Sequence, residues 1–245
     1  AIVCGLLILA KIPWIAAAGS IVLIFLFLKR YKDVYKFLLI VIPIGLLYAA
    51  YGLFYDPKLF LNLFGFQLNR YDIGFTSIFA LFQKPYLVDR FLTDGWIYFG
   101  WFAILLLFTD IKKHYIILFA FLSYFAVFLA GIPDEAGHGW YRYPFYPLLI
   151  IATALFIKEY FVKNPLLTFF FLIIVGTTLF QLTWAVAFGF SYIIFRLLIV
   201  GWALSLAPLF LPGKSIEKLA NISSYAWLTI FIVLNIFSVF LYNEQ

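Results

Sequence analysis

The chain has 245 residues, of which 66% are hydrophobic and 11% are charged. A soluble domain does not need so much apolar surface, so the composition excludes one and predicts an all-α, polytopic helical membrane protein. The net charge of +6 is spread over many connections, which disfavours a nucleic-acid partner and fits loops beside membrane lipids.

In chain order, the apolar runs predict a partial helix and then about eight transmembrane helices. The partial helix, 1–10, would span only about 15 Å, which is half of a bilayer. The complete helices are predicted over 13–28, 37–54, 95–109, 115–132, 144–157, 166–188, 192–211 and 222–242. Since the chain contains no methionine, we expect it to be the C-terminal part of a longer protein, with 1–245 forming a single transmembrane domain.

The charged residues divide the connections into two alternating sets. One set holds ten Lys and Arg against four acids, the other holds six against seven, and Arg196 lies inside a helix. By the positive-inside rule the first set faces the cytoplasm and the second faces outward. We therefore expect an integral, multi-pass protein with its C-terminus outside, most simply in the plasma membrane of a prokaryote.

The connection over 55–94 is the longest and belongs to the outer set. It mixes aromatic and charged residues with an apolar spacing that suits one or two helices lying flat on the membrane surface. Two interpretations stay open for this outer-face interfacial segment. It is either a cover without chemistry, or a lid or groove for a lipid or an acceptor, because loops of this length often carry function.

Two short motifs on the outer face share one construction. In Lys11-Ile12-Pro13 and Arg142-Tyr143-Pro144 a cation stands two residues before a proline, and proline suits the first turn of a helix. A cation beside a helix N-terminus can bind an anion. We therefore predict that Lys11 and Arg142 bind a phosphate at the bilayer surface. The alternative is that each side chain reaches bulk headgroups without a specific site.

The loop before Arg142 carries Asp134, Glu135 and His138 between glycines. These side chains have the chemistry of a general base or of ligands for a divalent ion. Three such residues in one loop are not a metal signature, and the glycines argue against a helix that would align them. We therefore favour contact with an acceptor, or a structural role, for Glu135 and His138.

Aromatic residues follow in the same stretch: Trp140, Tyr141, Tyr143 and Tyr146. They are typical of the aromatic belt at a membrane interface, and their faces would equally suit stacking on a sugar. Arg196 is a functional candidate because charges inside membrane helices are rare, although its side chain can also reach the interface. We predict Trp140, Tyr141, Tyr143 and Arg196 as contacts of the substrate or acceptor.

Two sequence stretches resemble a known family. "GLLILAKIPW" resembles the Gly-Leu-x-x-Leu-(Thr/Ala)-Lys-x-Pro segment of GT-C glycosyltransferases, especially relatives of protein O-mannosyltransferases and aminoarabinose transferases. "GHGWYRYPFYPLLII" is similar to a later outer-face element of these enzymes, in which an Arg-Tyr-x-x-Pro run opens a helix. The motifs cover a few dozen residues.

The resemblance implies transfer of a sugar from a polyprenyl-phosphate carrier to a glycan or protein acceptor on the outer face. Lys11 and Arg142 would then lie near the carrier phosphate. The family's acidic motif, which supplies the catalytic base or a metal ligand, lies in the first outer loop, so we expect it upstream of Ala1 and this chain alone to be inactive. No metal site is recognisable, and a requirement for a divalent metal stays open. The alternatives are a non-enzymatic transporter or scaffold subunit, and an envelope polysaccharide polymerase or ligase.

Overall fold

The computed structural model describes residues 1–68, 95–131, 141, 143–179 and 189–241. In this part of the chain all regular secondary structure is helical. Short 3₁₀ segments lie at Ile12–Trp14, Phe108–Asp110 and Ala207–Phe210. The α-helices are α1 Ile2–Ala10, α2 Ile15–Phe27, α3 Tyr31–Tyr55, α4 Pro57–Leu68, α5 Gly95–Leu107, α6 Ile111–Gly131, α7 Phe145–Glu159, α8 Pro165–Leu179, α9 Tyr192–Ser205 and α10 Lys214–Leu241.

Four helical stretches within the described residues are long and apolar enough to cross a membrane. This finding supports the predicted class, a helical membrane protein, while the count of eight spans and the orientation stay predictions. Two further apolar helices, Ile15–Phe27 and Pro165–Gly176, are shorter. The four long stretches are Tyr31–Tyr55, Gly95–Ala130, Tyr192–Phe210 and Lys214–Phe237.

The charged group around Asp110 lies in helix rather than in a loop. The apolar runs predict a connection between helices 95–109 and 115–132, whereas residues 108–110 form a 3₁₀ turn and α6 starts at Ile111. The Asp110 carboxylate accepts a hydrogen bond from the backbone N–H of Lys113 at 3.3 Å. This contact caps the first turn of α6, so a polar group that interrupts the apolar run also starts the next helix.

The predicted interfacial segment, 55–94, contains helix α4 near its start. Pro57 and the carboxylate of Asp56, which accepts from the N–H of Leu59 at 2.9 Å, start α4 directly after α3. The ring of Phe60 packs over Gly52 of α3, so α4 is seated against the end of that helix. The helix covers Pro57–Leu68 of the predicted interfacial segment, whose remainder, 69–94, lies outside the described residues, and a position on the membrane surface stays a prediction.

Contacts divide the chain into two compact units. The first comprises Ala1–Tyr86 and Leu107–Leu148, and the second comprises Leu87–Leu106 and Leu149–Gln245.

In the first unit small residues bring helices together. A β-carbon at Gly5 would lie 2.7 Å from Cβ of Ile44, so α1 packs closely on α3. The hydroxyl of Ser123 on α6 packs over Gly19 of α2 and donates to the carbonyl of Ala16 at 2.7 Å. Small residues allow this approach between apolar helices, where interhelical hydrogen bonds add to dispersion contacts.

Helix α3 contains a proline near its middle. Pro43 cannot donate to the carbonyl of Leu39, so one bond of the helical ladder is missing there. The adjoining residue Ile44 is the one against which Gly5 of α1 packs. Helix α1 therefore supports α3 at the point where its backbone ladder is interrupted.

In the second unit a glycine again allows a close approach between two helices. A β-carbon at Gly100 of α5 would lie 2.6 Å from Cβ and 3.0 Å from the carbonyl oxygen of Leu149 on α7. Buried phenylalanines surround this contact, with the rings of Phe99 and Phe156 centred 4.7 Å apart and those of Phe99 and Phe171 centred 4.8 Å apart. The approach is thus between backbone and backbone, and side chains cannot relieve it.

Among the described residues, each unit contains one left-handed residue that is not glycine. Lys29 has φ 58° and closes α2, where Arg30 N donates to Phe25 O at 2.8 Å and Lys29 N to Leu26 O at 3.0 Å. This pattern is a Schellman motif, which usually has glycine at that position. Val162 also has φ 58°, and its N–H donates to the hydroxyl of the buried Thr168 at 2.9 Å.

Candidate functional site

The first motif forms a tight corner between α1 and α2. Lys11 has an extended backbone, and its N–H still donates to the carbonyl of Leu7 at 3.0 Å. Its own carbonyl accepts from the N–H of Trp14 at 2.9 Å, which closes the 3₁₀ turn containing Pro13. The α-helix starts at Ile15, two residues after the proline, and the Lys11 side chain is exposed.

The second motif also leads into a helix. Tyr143 and Pro144 form a turn in which the N–H of Tyr146 donates to the carbonyl of Tyr143 at 3.0 Å, and α7 starts at Phe145. The fully buried ring of Phe145 packs edge-on against Tyr124 of α6, with centroids 4.8 Å apart. This anchor fixes where α7 begins, one residue after Pro144 as the proline pattern predicts.

The two motifs meet around one small cavity in the first unit. The ammonium of Lys11 lies 5.1 Å from the centre of the Tyr141 ring, a distance at which a cation is attracted by the face of an aromatic ring. Lys11 forms no salt bridge with a carboxylate of the described residues. The cavity measures about 70 Å³ and is lined by Lys11, Pro13, Trp14, Tyr124, Tyr141 and Pro144.

The predicted site residues divide by what the structure describes. Lys11 and Tyr141 are brought together, and Tyr143 is exposed beside Tyr146, with ring centres 5.5 Å apart. Arg196 is exposed on α9 of the second unit, where Ser191 caps the helix by accepting from the N–H of Ile194 at 3.3 Å. Four predicted residues lie outside the described part of the chain: Glu135, His138, Trp140 and Arg142.

Tyr124 is a cavity residue that the sequence analysis did not single out. Its hydroxyl donates to the carbonyl oxygen of Tyr141 at 2.8 Å, while the rest of the side chain is buried in α6. In the sequence it stands in the run "AFLSYFAVF", where it looks like any other aromatic residue of a membrane helix. Only the packing of α6 against the second motif reveals its contact.

The second unit contains a larger and more apolar cavity of about 340 Å³. The hydroxyl of Thr153 donates to the carbonyl of Leu149 in the same helix at 3.0 Å. It also lies 3.4 Å from the carbonyl oxygen of Trp96. Its lining consists of Trp96, Ile150, Thr153, Ala154, Ile157, Ile232, Asn235 and Ile236. Among the described residues there is no group of three or more His, Cys, Asp or Glu side chains that could hold a metal ion.

Compared with known proteins, the chain matches no protein-family model, no curated protein and no solved structure.

Proposed function

We propose that this chain belongs to a membrane glycosyltransferase of the GT-C type. The enzyme transfers a sugar from a polyprenyl-phosphate-linked donor to a glycan or protein acceptor on the outer face of the membrane. One observation carries the proposal: Lys11 of the first family-like motif and Tyr141 and Pro144 of the second line the same cavity. Motifs that are far apart in the sequence and meet in space are expected to act on one ligand.

The chemistry of the cavity suits the phosphate of the donor. When the bond between the anomeric carbon and the phosphate oxygen breaks, negative charge increases on the leaving phosphate. The Lys11 ammonium, which no carboxylate of the described residues neutralises, is available to stabilise that charge. Arg142 directly follows Tyr141 in the chain and is proposed as the second cation, binding the phosphate as a fork.

The surroundings of Lys11 favour a lipid-linked phosphate over a soluble one. Two prolines, an indole and two phenol rings form the rest of the lining, so the ammonium lies among apolar and aromatic surface at the ends of apolar helices. The exposed ammonium of Lys11 can thus meet a phosphate whose lipid chain lies against the apolar helices. The aromatic faces also suit the sugar that the donor carries.

The test compares two lysines in the whole protein. With a polyprenyl-phosphate sugar as donor, Lys11→Gln should lower kcat/KM by about a hundredfold, as expected when one stabilising donor is removed from a developing oxyanion. Lys58→Gln removes another exposed lysine, in α4, and serves as the matched control. Equal transfer by the Lys11→Gln variant and the wild type would contradict the proposal.

A further inference from the structure

We infer that Tyr124 is a positioning residue of the Lys11 site. Its hydroxyl fixes the backbone of Tyr141, and the ring of Tyr141 in turn holds the Lys11 ammonium at the cavity. The effect on phosphate binding rests on the proposed function, whereas the geometry can be tested without it.

A hydrogen bond joins the Tyr124 side chain to the backbone of Tyr141. Tyr124 is 5% exposed, and a buried hydroxyl needs a partner because water cannot reach it. The carbonyl oxygen of Tyr141, at 2.8 Å, accepts its proton. This bond connects the middle of α6 to the segment that precedes α7.

The ring of Tyr124 also packs against the first residue of α7. The ring lies edge-on to Phe145 at 4.8 Å, and Phe145 is fully buried among α6 side chains that also include Phe121 and Phe128. Tyr124 thus contacts Tyr141 through its hydroxyl and Phe145 through its ring. A single side chain thereby sets the distance between Tyr141 and Phe145.

Tyr141 in turn contacts Lys11 through its ring. Because the carbonyl of Tyr141 is held from α6, its backbone cannot rotate freely, and the ring stays on the side of the cavity where Lys11 lies. The ammonium is 5.1 Å from the ring centre. Tyr124 therefore acts on Lys11 through Tyr141, although no contact between Tyr124 and the ammonium is needed.

The experiment measures how fast a water-soluble amine-acylating reagent modifies Lys11 in the purified whole protein, relative to Lys58 in the same sample. The Tyr141 ring attracts the ammonium and covers one side of it, so Tyr141→Leu should raise the relative rate about twofold to fivefold. Tyr124→Phe should raise it as well, by a smaller factor. Tyr115→Phe, on the same helix but stacked on Phe27, should leave it unchanged.

The double variant separates positioning from an independent effect. If Tyr124 acts through Tyr141, Tyr124→Phe added to Tyr141→Leu should raise the rate no further. An unchanged rate in Tyr124→Phe, or effects that multiply in the double variant, would overturn the inference. Tyr141→Phe keeps both the ring and the carbonyl, so a changed rate in this variant would overturn it even if Tyr124→Phe did not fold.

A binding assay with farnesyl phosphate separates this inference from the proposed function. If both hold, Tyr124→Phe should weaken binding by a smaller factor than Lys11→Gln. If acylation follows the predicted pattern but Lys11→Gln leaves farnesyl phosphate affinity unchanged, the positioning of Lys11 stands and the phosphate role fails.

Discussion

The two units of the chain contain cavities that differ in chemistry as well as in size. The cavity of about 70 Å³ in the first unit is lined by an ammonium, two phenols and an indole, whereas that of about 340 Å³ in the second is mainly aliphatic. The larger cavity has a volume typical of ligand pockets, yet the hydroxyl of Thr153 in its wall donates to its own helix. Charge, and not volume, therefore singles out the smaller cavity.

The units also differ in what holds their walls. In the second unit, α5 meets α7 backbone to backbone at Gly100, so the cavity wall depends on the absence of a side chain. In the first unit, specific polar contacts hold the wall: Tyr124 to Tyr141, and Tyr141 to Lys11. Steric changes at Gly100 should accordingly damage the wall of the larger cavity, and changes of single polar atoms should affect the wall of the smaller one.

The largest effect is expected at Gly100. Gly100→Val should destabilise the protein by about 3 kcal/mol or more, because the added carbons meet the Leu149 backbone, which cannot move aside. Thermal unfolding of the purified protein in detergent measures the change. The matched control is Gly201→Ala in α9, where a β-carbon meets nothing within 4 Å, and which should stabilise by about 0.5 kcal/mol. Equal stability of the two variants would contradict the close approach.

The next largest effect separates the two cavities by function. Lys11→Gln should lower kcat/KM for sugar transfer by about a hundredfold, or about 2.7 kcal/mol of transition-state stabilisation. Asn235→Leu, which makes the larger cavity more apolar, should change kcat/KM by less than about twofold, because no charge is altered there. Steady-state kinetics on both variants decides between the cavities, and a larger loss in Asn235→Leu would reverse the assignment.

A smaller effect is expected at Val162 in the second unit. Val162→Gly should stabilise the protein by about 1 kcal/mol, because a β-branched residue at φ 58° is strained by 1 to 2 kcal/mol and glycine's greater freedom in the unfolded chain offsets part of the gain. The shift in thermal midpoint measures this gain. Val162→Ala retains the β-carbon and should show no comparable gain; a loss of stability in Val162→Gly would mean that packing of the valine outweighs strain.

The smallest effect is expected at Lys29 in the first unit. Lys29→Gly places the usual residue in the Schellman motif that ends α2 and should stabilise by about 0.5 kcal/mol, less than Val162→Gly because lysine is not β-branched. The same unfolding assay ranks the two variants. The exposed neighbour Lys32, inside α3, gives the control Lys32→Gly, which should instead destabilise by about 1 kcal/mol as glycine does in helices.

The sequence predicts a helical chain and the helix starts near Pro13 and Pro144, but it does not predict that the two motifs come together. Pro13 and Pro144 announce helix starts that the structure places at Ile15 and Phe145, since proline acts locally on the backbone. The contact between Lys11 and Tyr141 depends on which faces of distant helices pack together, and uniformly apolar helices do not reveal those faces. Tyr124 was missed for the same reason, because its partner is a backbone carbonyl that no sequence pattern marks.

Charged residues that interrupt an apolar run did not mark the end of helical structure. The helices predicted over 95–109 and 115–132 leave a connection between them, yet Asp110 and Lys113 in that interval are compatible with the first turn of α6. The carboxylate of Asp110 caps that turn, and lysine has a good helix propensity. The hydrogen bond of Asp110 thus favours a helical backbone at this point, whereas the drop in hydropathy shows only that the residues are more polar than their neighbours.

Pro43 affects how helix α3 adapts to bilayers of different thickness. The helix has 25 residues, and its apolar part, 37–55, spans about 28 Å, which matches a hydrocarbon core of about 30 Å but is too long for a thinner one. A long span can adapt by tilting as a rod or by bending, and a missing backbone hydrogen bond near the middle makes bending the easier response. Thinner membranes should therefore increase the angle between the two halves of α3, with Gly5 of α1 sliding against Ile44 at the bend.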